Sequence, residues 1–353
     1  MRKRGCAVSG YDVEHESVVS SVRPKRKHPV RLTLLLLVGL VVVAAVVAGG
    51  YLFNLANTFN SKSDTIDTAF PTGERPSLEP TAEGSLNILL LGSDSRAEGE
   101  APDQTGSDGR SDTMMLMHIP ADRDDIFVMS ILRDTWTELP GHGENKINSA
   151  IALGGMPLVV ETVETLLDAP IDHVAIIDFE GFKGLTDALG GVEVNNPAAF
   201  QSSGADGEFF AQGPVTLQGE SALKFVRERY AFSDGDYQRV RNQQVFVKAV
   251  LGEVLSANTL TDPGKVADVV SRISPYVSVD EDLDAAAIGR LAVSLRKVRS
   301  GDVQFSTLPT LGTGTSADGQ SIVVKDEAGI AEVAEALSND SLGSLPLFSE
   351  SPQ

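Results

Sequence analysis

Between Ala222 and Gln244 the sequence reads ALKFVRERYAFSDGDYQRVRNQQ, with four arginines, two aspartates and three glutamines in 23 residues. Arg227 and Arg229 are two apart, so an extended backbone would point both to one face and Glu228 to the other. Arg239 and Gln243 are four apart and share one side of a helix. Guanidinium groups stay charged at any relevant pH and donate planar pairs of hydrogen bonds, which suits phosphate oxygens. The chemistry on offer is the holding of a polyanion. The competing reading is a solvated basic face paired with its own Asp234 and Asp236.

A second polar set falls where short apolar runs end or begin. Leu86 to Leu91 (LNILLL) reads as a buried strand ending in Gly92-Ser93-Asp94, and Asp112 opens the next strand in GRSDT. Two carboxylates at neighbouring strand ends can share one divalent cation, and oxygen-only ligands favour magnesium or manganese over zinc. Taken singly, each aspartate is better explained as a turn cap. Arg96 follows the first, Arg110 precedes the second, and Arg133 ends the third strand. Ligands of open α/β sheets collect at such ends. Arg133-Asp134 alone would be an ordinary surface ion pair.

The elements that must position these residues follow from periodicity. Thr113 to Ile119 and Ile126 to Leu132 are strands, joined by an acidic turn at residues 122–125. A helix runs from about Ser149 to Leu167, then a strand from Val174 to Asp178, a helix from Phe179 to Leu189 and a strand from Val192 to Val194. Pro197 to Gly219 reads as irregular. Asp236 to Leu255 is a helix, with Tyr237, Val240, Gln244, Val247, Leu251 and Val254 at three-four spacing. With Val240 at the buried centre, Asp236, Arg239 and Gln243 lie about 40 to 100° to one side, bordering the apolar face, and Arg241 lies opposite. Helices at Pro263 to Ser271 and Leu283 to Val298 and strands at Val303 to Leu308 and Ser321 to Val324 complete the order. This alternation predicts an α/β fold, a three-layer α-β-α domain with a mixed central sheet, preceded by one transmembrane helix.

The chain has 353 residues, one cysteine, and 49 acidic against 29 basic side chains, for a net charge of -20. That balance argues against a nucleic-acid partner, whose binders carry basic surfaces. Residues 1–31 hold eight Lys or Arg and three acids, a local +5 that leaves -25 for everything downstream. Leu32 to Phe53 carries no charge over 22 residues, about 33 Å as a helix, enough to span a bilayer. Basic residues precede it, which predicts a cytoplasmic tail (1–31), a single-pass anchor in the cell membrane (32–53) and an extracytoplasmic remainder. A cleaved signal peptide is the alternative. The polar, Pro-punctuated segment 54–84 reads as a linker, 85–337 as one folded domain and 338–353 as a disordered tail. Cys6 falls in the tail, so the exported part forms no disulfide.

Several chemistries lack their residues. His118, His142 and His173 are isolated, no HExxH is present, and GxSxG and Walker A patterns are absent. What the motifs together resemble is the LytR-CpsA-Psr family. The resemblance rests on NILLLGSDSR, GRSDTMMLMHI, VMSILRDTW, ENKINSAIALGG, DHVAIIDFEGFKGLTDALGGVEV and the 222–244 stretch, covering about residues 85 to 257. It implies a membrane-anchored extracytoplasmic phosphotransferase. Such an enzyme moves a glycopolymer (teichoic acid, capsule or arabinogalactan) from a polyprenyl pyrophosphate carrier to peptidoglycan, creating a phosphodiester. By the same resemblance the magnesium carboxylates are Asp94 and Asp112. The pyrophosphate group is Arg110, Arg133, Arg227, Arg229, Arg239 and Gln243, with Arg96 in support. A prenyl chain is expected in an apolar tunnel between sheet and helices. The long acidic loop from Ser95 to Gly109 departs from the pattern. Two other readings use the same residues: a lipid pyrophosphatase with water as acceptor, and a non-catalytic membrane-anchored regulator.

Overall fold

The computed structural model describes residues 29–93, 111–254 and 256–349. The chain falls into two compact units, Met1–Tyr51 and Leu52–Gln353. Helix α1 (Pro29–Lys62) begins in the first and ends in the second. Its Leu40–Lys62 part is long and apolar enough to cross a membrane, and its leucines and valines from Leu40 to Val47 are exposed. The helix continues nine residues past Phe53, where the apolar run ends.

Seven strands form the central sheet: β1 (Asp64–Ile66), β2 (Leu86–Ser93), β3 (Ser111–Ile119), β4 (Ile126–Ile131), β5 (His173–Asp178), β6 (Val277–Asp280) and β7 (Val303–Thr307). Their spatial order is β1-β6-β5-β2-β3-β4-β7. The sheet is mixed, since β5 lies parallel to β2 and β7 to β4, while β3 runs against both β2 and β4. Among the described residues the helices longer than four residues that follow are α2 (Ala150–Leu167), α3 (Phe179–Leu189), α4 (Gly219–Arg227), α5 (Asp236–Val254), α6 (Pro263–Ile273), α7 (Ala285–Ser294) and α8 (Glu327–Ser338).

The two-residue period of the strands sets up the layers. Leu89 and Leu91 of β2, Met114 and Leu116 of β3, and Phe127 and Met129 of β4 pack against α2 and α8. The alternate residues Ile88, Met115 and Val128 pack with Val247 and Leu251 of α5 and Leu291 of α7. Both faces are covered, which is why these strands are almost continuously apolar. The expected three-layer α-β-α domain is present. Gln244 of α5 is buried and its amide donates to the Ser306 carbonyl at 2.7 Å, joining this helix to β7.

Four expectations need correction. Segment 54–84 is no stalk: β1 adds the edge strand beside β6, Ile66 and Ala69 enter the core, and Arg75 Nε donates to Glu164 at 2.9 Å. Three strand residues and a few scattered apolar side chains leave no periodicity to read. Residues 338–349 are also built in. Asp340 accepts from Ala121 N and lies 2.9 Å from His118 Nε2, and Phe348 meets Phe127 edge-on at 5.1 Å. The region 197–219 contains the strand Gly213–Leu217, paired antiparallel with Val192–Asn196 outside the main sheet. Likewise Ser321–Lys325 pairs with Thr310–Thr315 as a separate hairpin.

Candidate functional site

The stretch on which the site depends also departs from its expected form. Arg227 does not lie on a strand; it is the last residue of α4, whose Ala222, Leu223, Phe225 and Val226 are buried at helical spacing. Helix ends leave carbonyls without intrahelical partners. Here α5 supplies them: Asn242 Nδ2 donates to the Phe225 carbonyl at 3.3 Å and Gln243 Nε2 to the Val226 carbonyl at 3.4 Å. The chain then turns extended at Glu228, whose buried carboxylate accepts from Ser203 N, Ser203 Oγ and Ala231 N. Burial pushes that carboxyl up, and these donors more than reverse it, leaving its pKa below the ordinary value. Glu228 thus points inward and its neighbours elsewhere. Arg227 stacks over Phe179, the first residue of α3, at 4.3 Å, and Arg229 over Tyr230 at 4.5 Å.

Asp236, the first residue of α5, draws three guanidinium groups together. Its carboxylate lies 3.3 Å from Arg239 Nη2, 3.7 Å from Arg133 Nε and 3.7 Å from Arg229 Nη1. Three cations meet at one carboxylate, in a chain of net charge -20. Arg239 and Gln243 are buried, deeper than the bordering position expected for them. Burial lowers the Arg229 pKa, but the Tyr230 hydroxyl together with Asp236 and Asp134 holds it above its ordinary value. Arg241 faces away, pairing with Asp234 and Gln238. The solvated-face reading therefore fits Arg241; Arg229 and Arg239 do pair with Asp236 as that reading has it, but Arg239 is buried and not solvated.

Arg133 reaches the cluster because β4 ends at Ile131, two residues before it. Its backbone carbonyl accepts from Asn148 N at 3.1 Å, which fastens the loop after β4 to the start of α2. The adjacent Asp134 carboxylate is 3.3 Å from Lys146 Nζ, a cation that lies within the motif ENKINSAIALGG. Asp236 is a functional residue beyond those expected, and its i,i+3 spacing to Arg239 is the signal of an ion pair on a helix.

Asp94, Arg96 and Arg110 lie outside the described residues, and of Asp112 only the backbone, in β3, is described. Ser93, which precedes Asp94, pairs with Ser111, which precedes Asp112, and in parallel register with Asp178 at the end of β5. Asp178 caps α3, accepting from Gly181 N at 2.7 Å, and burial raises its pKa. Among the described residues no group of three or more His, Cys, Asp or Glu is arranged to hold a metal. A cavity of about 930 Å³ between α2 and α8 contains none of the arginines.

Residues 51–339 match the LytR_cpsA_psr family. The chain is 32% identical over 302 residues to "Polyisoprenyl-teichoic acid--peptidoglycan teichoic acid transferase TagU" of Halalkalibacterium halodurans, covering 84% of this chain and 93% of that protein. Among solved structures it resembles Bacillus subtilis TagV (TM-score 0.62, 25% identity, 75% of this chain and 99% of that one). It also resembles TagT bound to LI-WTA (TM-score 0.57, 25% identity, 77% of this chain and 98% of that one). With the family matched across the whole central sheet and every described arginine of the cluster, this chain belongs to the LytR-CpsA-Psr family.

Proposed function

We propose that this protein transfers a glycopolymer with its phosphate from a polyprenyl pyrophosphate carrier to peptidoglycan, forming a phosphodiester link in the cell wall. The observation that carries the reading is the convergence of Arg133, Arg229 and Arg239 on Asp236 beside the C-terminal end of β4. It is joined by the names of the relatives, which are teichoic acid transferases. The acceptor hydroxyl attacks the sugar-linked phosphorus, its bond to the bridging oxygen breaks, and polyprenyl phosphate leaves with that oxygen. Arg110, Arg133, Arg227 and Arg229 neutralise charge as it shifts to the leaving phosphate, while Arg96, Arg239 and Gln243 hold the pyrophosphate in place. The hydroxyl proton passes to solvent.

Asp94 and Asp112 would hold magnesium. The register that pairs Ser93 with Ser111 suits this, and so does a donor set of carboxylates alone. Bound there, the ion would offset pyrophosphate charge. The uncharged segment at residues 32–53 anchors the domain outside the cytoplasm. The test is the full chain in lipid vesicles with magnesium, a lipid-linked glycan and a peptidoglycan oligomer, scored for the phosphodiester. Product joined to peptidoglycan, and lost with Arg229→Ala, is expected. Free phosphorylated polymer would make the enzyme a hydrolase, and an unaffected Arg229→Ala would make the chain a regulator.

A further inference from the structure

Tyr230 follows Arg229 in the chain and is 74% exposed, but its ring is held. The Arg229 guanidinium covers one face, 4.5 Å from the ring centroid, and its Nη2 donates to the Tyr230 hydroxyl. The backbone beneath is pinned as well. Ala231 N donates to the buried Glu228 carboxylate at 2.9 Å, and Phe232 N to the Arg229 carbonyl at 3.3 Å. Phe232 meets Phe200 edge-on at 4.9 Å, so one ring of the turn packs inward while the other projects. A ring fixed in one orientation has already lost the rotamer freedom that binding would otherwise cost.

Arg229 joins this ring to the arginine cluster. Its Nη1 faces the Asp236 carboxylate at 3.7 Å, while its Nη2 holds the tyrosine. Whatever covers the open face of Tyr230 therefore lies beside the group that the arginines hold. In the reaction proposed above, the neighbours of the transferred phosphorus are sugars: one carries the phosphate, and one bears the acceptor hydroxyl. A pyranose ring presents a face of C–H bonds, which suits the negative face of an aromatic ring, and keeps its hydroxyls in water. The prenyl chain is the other neighbour of the pyrophosphate. It needs an apolar enclosure, which a ring 74% open to solvent does not supply.

We propose that the open face of Tyr230 stacks on a pyranose ring next to the transferred phosphate. This rests on the transferase reading and adds a sugar subsite to it. The stacked ring belongs to the donor glycan or to the acceptor, and one set of measurements tells them apart.

The full chain in lipid vesicles with magnesium is compared with Tyr230→Ala and Tyr230→Phe. KM is measured for a lipid-linked glycan and, separately, for a peptidoglycan oligomer. Inhibition by undecaprenyl pyrophosphate, which carries no sugar, is measured alongside. Tyr230→Ala should raise one of the two KM values by roughly threefold to tenfold, the scale of one aromatic contact. The KM that moves identifies the stacked sugar. Inhibition by the sugar-free lipid should stay unchanged, and Tyr230→Phe, which keeps the ring, should keep both wild-type KM values. Unchanged KM values in Tyr230→Ala overturn the proposal. So does an equal loss of inhibition by the sugar-free lipid, or a Tyr230→Phe as damaged as Tyr230→Ala, since the tyrosine then serves only to hold Arg229. A wild type that releases free phosphorylated polymer overturns the transfer reading alone, and the KM for the lipid-linked glycan still decides the stacking. A wild type that turns over neither substrate overturns both.

Discussion

The Asp236 carboxylate lies 3.3 Å from the Arg239 guanidinium three residues on, and the same carboxylate faces Arg133 and Arg229 from two other parts of the chain. One side chain at the head of a helix thus spaces three cations that would otherwise repel. Asp236→Asn keeps the shape and removes the charge. We expect it to lower stability by about 1–3 kcal/mol, the scale of removing one charged partner from a partly buried polar cluster. Chemical denaturation checks this, and transfer activity should fall at least tenfold as the arginines lose their spacing.

Arg75 and Glu164 test the corrected linker. Glu164 is 2% exposed, accepts from Arg75 Nε at 2.9 Å and also from Ile171 N at 2.8 Å. Removing the arginine strands a buried carboxylate, so Arg75→Ala should cost about 3 kcal/mol in a urea titration. Pairing it with Glu164→Gln should restore a good part of that. Equal stability of Arg75→Ala and wild type would return residues 54–84 to the status of a tether.

Asp340 tests the C-terminal segment. Its oxygens meet the fully buried His118 ring and the Ala121 amide. Burial pushes its carboxyl up, but the His118 and Ala121 hydrogen bonds outweigh that and hold it low. Asp340→Ala should destabilise by about 1–3 kcal/mol. Amide exchange should quicken along β3, where a passive tail would leave it unchanged.

His173 and Asp280 give a pH signature. His173 is raised above its ordinary 6.5 by its hydrogen bond to Asp280, against burial. Its stabilisation is therefore complete below pH 6.5 and fades as pH rises through the folded-state value. Burial raises Asp280, but His173 and the Val174 amide bring it below its ordinary 3.8, so its share is present above that pH and fades as acid reaches the lower folded value. The stability gap between wild type and His173→Gln should be wide near pH 5 to 6 and narrow toward pH 9. A gap independent of pH would contradict the pair.

Long periodic elements were legible because burial on two faces writes itself into sequence: β2, β3, β4 and α5 fall within a residue or two of their expected bounds. Misreading came where few residues carried the pattern. Arg227-Glu228-Arg229 alternates like a strand, and in fact spans the last helical residue and the turn beyond it. The three residues of β1 pair with β6, more than 200 positions away, which no local window registers. Arg133, Arg229 and Arg239 were each legible as phosphate-binding types. The pairing of Arg239 with Asp236 three residues before it is written in their spacing; that Arg133 meets the same carboxylate is not, because only the fold brings that distant position to it.

The amides that Asn242 and Gln243 give to the end of α4 make two arginine-bearing segments move as one. A pull on Arg229 is felt by the turn of α5 that carries Arg239. If a ligand claims the Gln243 amide for itself, the Val226 carbonyl is released and the last turn of α4 can unwind. Occupancy of the site and fraying of that helix end are then two readings of a single latch, visible as faster exchange of the amides that follow Val226.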